Sequence, residues 1–294
     1  MGRAYRWVAC CLFPVAVAAL LDAPPARAAE PQTLKIGLPE SMFSGVPQAV
    51  VQVASRPFKT MFEKQAGLKS EIVVCRDYAD VTEQLQKGKI DVAVFHGFEY
   101  AWVKQHAELV PLVATVPGVK LQACLVVNTK SNVKGADELK GDAVAFPAAN
   151  KAHCRIYFDA LKAGLPAGCC GVAVLKGKSI EEALDAVSDG ECPAALVDAG
   201  ALATYQKQKP GAGEQLKVLV RSDVFPPALV VMRKDALTAA NAKKVRDGLV
   251  KCADTAEGQQ LTSLWRLKGF EEPTALYQAD LERCLKAYPA PGKK

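Results

Sequence analysis

Residues 90–100 read IDVAVFHGFEY, and the fold turns on how they are interpreted. Ile90–Phe95 is an apolar run without polar/apolar alternation, the pattern of a strand covered on both faces by helices. His96-Gly97 breaks the strand, and a helix begins at Phe98. In open α/β sheets the crevice beyond the carboxyl end of a strand is the usual ligand position, which makes His96 a candidate contact. The same unit recurs about a hundred residues later. The segment Glu83–Gly88 is a helix end stopped by glycine, followed by Ile90–Phe95. The segment Glu182–Gly190 ends in the same way, followed by Ala194–Val197. Aligning Gly88 on Gly190 sets His96 opposite Asp198, each just past a strand end. Two similar lobes facing one cleft follow from this repeat.

Moving toward the amino end, Thr33–Leu38 reads as a strand, Pro39-Glu40-Ser41 as its exit, and a helix reaches Gln65 before Gly67. Glu71–Cys75 is a strand, and Asp77 is placed to cap a helix over Ala79–Lys87. Moving toward the carboxyl end, a helix runs from Phe98 to about Gln105. Strands at Val110–Val116 and Leu121–Asn128 flank Pro117-Gly118, a crossing point between lobes. A strand at Ala143–Phe146, a helix at Lys151–Ala163 and a strand at Val172–Leu175 follow. Ser179-Ile180-Glu181-Glu182 is a capping box, and strands at Ala194–Val197 and Lys217–Val220 come after it. The chain returns at Phe225-Pro226-Pro227, Ala228–Met232 is a strand of the first lobe, and from Asn241 onward the pattern is helical, with Thr238 as cap. This alternation predicts an α/β fold with mostly parallel sheets. Residues 29–117 and 226–294 form one lobe, and residues 121–222 form the other.

The first 28 residues read as a cleavable signal peptide. Arg3 and Arg6 precede the apolar Trp7–Leu21, and Ala26-Arg27-Ala28 is a small-x-small cleavage signal. The apolar run is too short and wrongly flanked to be a membrane span. Removing it takes away three Arg and one Asp, so the net charge falls from +6 to +4. No Lys/Arg stripe with interleaved aromatics is present, which argues against nucleic-acid binding. Eight cysteines remain: Cys75, Cys124, Cys154, Cys169, Cys170, Cys192, Cys252 and Cys284. An even number in an exported chain favours disulfides, with Cys252 and Cys284, on late helical segments, as one pair. No C-x-x-C pair exists, so a zinc site has little support. Enzyme motifs are equally scarce: there is no G-x-S-x-G, P-loop or H-E-x-x-H. His153 and Cys154 are sequence neighbours on a helix and point apart, which rules them out as a nucleophile–base pair.

The order and spacing of several segments resemble the phosphate/phosphite/phosphonate-binding family of periplasmic components of ABC importers, type II two-lobed solute-binding proteins. The carriers are Leu34-Lys35-Ile36-Gly37; Tyr78–Lys87 followed by Gly88-Lys89-Ile90-Asp91-Val92-Ala93; Phe98-Glu99-Tyr100; Gly141–Phe146; Ala195-Leu196-Val197-Asp198; and Thr255-Ala256-Glu257-Gly258 with Gly269-Phe270. The resemblance implies a monomeric, non-catalytic periplasmic receptor without cofactor. Such a receptor binds a small anionic ligand (phosphate, phosphite or a phosphonate) and hands it to an inner-membrane permease. Where the family carries a Ser/Thr-rich anion-binding turn, this chain has Asn150-Lys151-Ala152-His153-Cys154.

A helix start still offers unpaired N–H groups to an anion, with Asn150 as its cap and Lys151 or His153 adding charge. Lys151 otherwise reads as a solvated lysine and His153 as an exposed helix residue. His96 is either a cleft contact or a core histidine. A carboxylate that ends an apolar strand is expensive to bury unpaired, so Asp198 either receives a ligand's amine or proton or caps the helix at Ala199. Tyr100 and Phe98 match the family segment, and Glu40 and Ser41 leave the first strand toward the cleft. The expected ligand-binding set is Glu40, Ser41, His96, Phe98, Tyr100, Asn150, Lys151, His153 and Asp198, with no metal ligand. An exported metal- or redox-binding protein using Cys and His on the same scaffold is the alternative.

Overall fold

The computed structural model describes residues 33–43, 48–105, 108–141, 144–173 and 179–291. The expected signal peptide, with its cleavage signal, lies outside them. In chain order the elements are β1 (Leu34–Pro39), α1 (Gln48–Ala66), β2 (Ser70–Cys75), α2 (Tyr78–Gln86), β3 (Val92–Phe95), α3 (Gly97–Val103), β4 (Leu109–Pro117) and β5 (Ala123–Asn128). They continue with β6 (Val144–Ala145), α4 (Ala152–Ala163), β7 (Val172–Ala173), α5 (Ile180–Ser188), β8 (Ala194–Asp198), α6 (Ala199–Gln208), α7 (Pro210–Gly213) and β9 (Leu216–Arg221). The last are β10 (Leu229–Arg233), α8 (Ala239–Val250), α9 (Ala256–Leu264), β11 (Leu267–Glu271) and α10 (Ala275–Ala287).

Two sheets form, ordered β11-β4-β10-β3-β1-β2 and β7-β6-β8-β5-β9. Read from β2 and from β7, they repeat one plan. Two parallel pairings, β2-β1 and β1-β3, are followed by two antiparallel ones, β3-β10 and β10-β4. The second sheet matches it with β7-β6 and β6-β8 parallel, then β8-β5 and β5-β9 antiparallel. The sheets are therefore mixed, with parallel strands on one side and a reversed strand breaking the run on the other. Each reversed strand begins where the chain has just changed sheet, β5 after Pro117 and β10 after Arg221.

The edge strand β11 departs from the helical reading of the segment beyond Asn241. It pairs antiparallel with β4, with a register shift between Leu267 and Gly269. An edge tolerates the exposed Lys268 and the irregularity, so the strand has little apolar pattern to announce it.

β3 is sandwiched. Val92 and Val94 pack on one face with Ile36, Leu112 and Val230. Ala93 and Phe95 pack on the other with Val81, Leu85 and Val231. In the second sheet Leu196 and Leu125 face Phe158 of α4, while Val197 and Val126 face Leu184 of α5 and Leu202 of α6. Helix starts follow the local code: Asp77, Ser179 and Thr238 each accept a backbone N–H from their own first turn. Gly88 and Gly190 lie in the left-handed region at φ 66° and 80°, and stop α2 and α5 where a Cβ would be strained.

The expected disulfides do not form. Cys75, Cys124, Cys154, Cys169, Cys170, Cys252 and Cys284 are buried free thiols, and the Cys192 thiol donates to the Ala194 carbonyl at 3.2 Å. Cys252 belongs to the apolar cluster beneath the first sheet and Cys284 to the one that reaches the second, so this pair is held in separate cores.

Candidate functional site

The equivalent strand ends of the two sheets carry the polar groups. β1 runs into a 3-10 turn, Glu40–Phe43, and β3 into α3 with His96 as the residue before the helix. In the second sheet β6 leads to Lys151 at the start of α4, and β8 leads to Asp198 at the start of α6.

Asp198 is the hub of the second lobe. Its side chain is 3% exposed. Oδ1 accepts from Lys151 Nζ at 3.0 Å and from the Ala201 backbone N–H at 3.2 Å. The second bond makes it the cap of α6, so it is both cap and charge partner. Oδ2 lies 3.1 Å from Nε2 of the buried His153, close enough for an ion pair, and neither atom has any other partner. Burial pushes the Asp198 carboxyl up, yet His153 and Lys151 outweigh it and hold the group below its ordinary value. Ionised Asp198 is thus compensated from within the chain.

Asn150 does not cap α4. Its amide Nδ2 donates to the Leu196 carbonyl at 2.7 Å, tying the loop to β8, and leaves Oδ1 buried without a partner. Lys151 takes the position before the helix without a side-chain cap bond. The Cys154 N–H donates to the Lys151 carbonyl at 3.0 Å, while those of Ala152 and His153 are of the kind a helix start leaves open.

On the first lobe, Glu99 organises the site, and the sequence reading passed over it. Its Oε1 accepts from Ser41 Oγ at 3.0 Å and its Oε2 from the His96 backbone N–H at 3.1 Å. It thereby ties the exit of β1 to the exit of β3. Burial pushes its carboxyl up to about 7, and the Asp77 charge adds to the effect while the two hydrogen bonds oppose it. The capping-box spacing His96-x-x-Glu99 was the available signal.

His96 is half-buried, and its Nε2 is sealed from solvent without a partner. Burial is the main reason its imidazole is held down to about 4, with the charges of His153 and Lys151 acting in the same direction. A contact to the Ser41 backbone opposes the shift. His96 stacks on Phe98 at 5.1 Å between centroids, Phe98 meets Phe225 at 6.0 Å, and Phe225 meets His153 at 5.4 Å. Phe225, just before the Pro226-Pro227 return, was also missed; it completes an aromatic floor joining the two histidines.

The structure thus brings together Ser41, His96, Phe98, Asn150, Lys151, His153 and Asp198. Glu40 is exposed on the 3-10 turn. Tyr100 is buried among Val103, Tyr277 and Leu281, without a hydrogen bond or ring contact to this set. Among the described residues no group of three or more His, Cys, Asp and Glu side chains could hold a metal ion.

The family described as "ABC transporter, phosphonate, periplasmic substrate-binding protein" matches residues 41–276. The phosphate-import protein PhnD of Mycolicibacterium smegmatis is 28% identical over 253 residues, covering 76% of this chain and 75% of that protein. Among solved structures, XAC2383 from Xanthomonas citri, bound to ATP, superposes with a TM-score of 0.65 at 15% identity, covering 87% of this chain and 96% of the other. PhnD1 from Prochlorococcus marinus, in complex with methylphosphonate, gives a TM-score of 0.62 at 15% identity, covering 87% and 98%. At these identities the structural likeness is one of fold: two lobes, each with its own sheet. The sequence match places the chain among transport receptors rather than enzymes, and it belongs to the phosphonate periplasmic substrate-binding family of ABC transporters.

Proposed function

We propose that this chain is exported by its signal peptide and serves as a monomeric receptor for a small oxyanion (phosphate, phosphite or a phosphonate), which it delivers to an inner-membrane ABC permease. The ligand sits between the strand ends of two lobes, residues 29–117 with 226–294 and residues 121–222. His96, Ser41 and Phe98 contribute from the first, and Asn150, Lys151, His153 and Asp198 from the second. One observation carries this reading. His96 Nε2 and Asn150 Oδ1 are buried without a hydrogen-bond partner, beside the His153–Asp198 pair, at the strand ends where α/β sheets bind ligands. Buried polar atoms are normally paired, and a bound solute would satisfy them. The open amides of α4 and the Lys151 ammonium supply positive potential for its oxygens.

Titration calorimetry with phosphate, phosphite and alkylphosphonates, with sulfate as control, tests the reading. We expect binding of at least one phosphorus oxyanion, weakened about tenfold or more by His153→Ala, the loss of one charge-assisted contact. Absence of heat with every member of the panel would overturn the ligand class.

A further inference from the structure

Asp198 offers little room for a ligand's cation. Its Oδ1 already holds Lys151 Nζ at 3.0 Å and the Ala201 N–H at 3.2 Å, and its Oδ2 faces His153. Lys151 stands at the amino end of α4, where a positive charge is disfavoured by the helix. Even so, its ammonium turns inward to a carboxylate 47 residues away. We propose that Lys151 supplies from within the chain the cation that Asp198 would otherwise take from a ligand, so that the site selects oxyanions without an ammonium group over zwitterions. This rests on the oxyanion-receptor reading above.

The other charged and titratable groups around the site agree. His153 approaches Asp198 from α4, and His96 faces Lys151 and His153 from the first lobe, with Glu99 behind it on Ser41. A ligand ammonium would either displace Lys151 or lie beside it, unpaired and repelled. The remaining acceptor, Asn150 Oδ1, suits the acid O–H of a monoprotonated oxyanion, which brings a donor without bringing a charge.

Propylphosphonate and aminoethylphosphonate have the same heavy-atom skeleton apart from a methyl in place of the ammonium. We expect the wild-type protein at neutral pH to bind propylphosphonate roughly tenfold tighter or more. Lys151→Ala should erase or invert that ratio, because Asp198 Oδ1 then holds only the Ala201 N–H and can take the ligand's amine, whereas Lys151→Arg should preserve it. Lys151 is half-exposed, and circular dichroism checks that each variant is folded before binding is measured. Equal or tighter binding of aminoethylphosphonate by the wild type overturns the inference, as does Lys151→Ala weakening both ligands by one factor. If neither they nor phosphate or phosphite bind the wild type, the receptor reading falls and this inference with it.

Discussion

Two neighbouring side chains of the first lobe titrate in opposite senses. Glu99 is pushed from 4.5 up to about 7 and His96 is held from 6.5 down to about 4, both chiefly by burial. A raised carboxyl favours the protonated form in the fold, so its stabilising contribution is full below 4.5 and is lost as pH rises through about 7. A lowered imidazole favours the neutral form, so its contribution is full above 6.5 and is lost as pH falls through about 4. Between 4.5 and 6.5 the native state therefore holds a proton on Glu99 that the unfolded chain lacks, and lacks one on His96 that the unfolded chain holds. The two slopes cancel. Each alone is worth about 3 kcal/mol. Denaturant unfolding across this window should show Glu99→Gln gaining stability with rising pH and His96→Asn losing it. Slopes of the same sign in the two variants would refute the opposition.

At the scale of elements, α3 is tightly constrained at its start. A Cβ on Gly97 would lie 2.3 Å from the Pro226 carbonyl oxygen and 2.6 Å from that of Pro227. The helix start thus rests directly on the backbone of the returning segment. Gly97→Ala should cost about 1–3 kcal/mol, the range for overpacking, and should also weaken ligand binding because it displaces His96. Gly190→Ala, strained only by its φ of 80° and open to solvent, should cost about 1 kcal/mol and leave affinity unchanged. Denaturation and calorimetry on the same samples separate the two. Much of the element map was legible in the sequence because its signals are local: an apolar run, a cap such as Asp77 or Ser179, a glycine stop such as Gly88. What escaped depends on contacts between distant residues. β11 is defined by β4, Asn150 is turned by the Leu196 carbonyl, and Glu99 meets Ser41 58 residues away. The cysteine count suggested bridges, but a count says nothing about which core each thiol enters.

Across the whole molecule, the apolar cluster of the second sheet extends beyond it. Phe98 and Trp102 of α3, Phe225 of the return, Cys284 of α10 and Tyr288 just beyond it join Leu125, Leu196 and Phe158 in one cluster. We expect lobe closure to pivot around this seam, and a ligand would drive it only by binding the closed form better. Small-angle scattering should show a smaller radius of gyration at saturating ligand; an unchanged radius would exclude closure as the response. The thiols provide a second check. Burial raises the Cys154 thiol well above its ordinary value and the Cys284 thiol to about 12, so both should be unreactive toward thiol reagents in the native protein and titrate fully in denaturant.

Trp102 lies within that seam. Its indole N–H donates to the Tyr288 carbonyl at 2.8 Å, and its ring meets Tyr78 at 5.0 Å and Phe98 at 5.3 Å. Through Phe98, which stacks on His96, it is one ring away from the candidate site. Among the described residues the other tryptophan is Trp265, which meets Phe43 on the first lobe. With Trp265 replaced by Phe in a protein expressed without residues 1–28, which carry Trp7, the protein becomes its own fluorescent sensor. A single indole, in an apolar setting with one fixed hydrogen bond, should change its emission when solute arrives, giving uptake selectivity an optical readout without any attached dye.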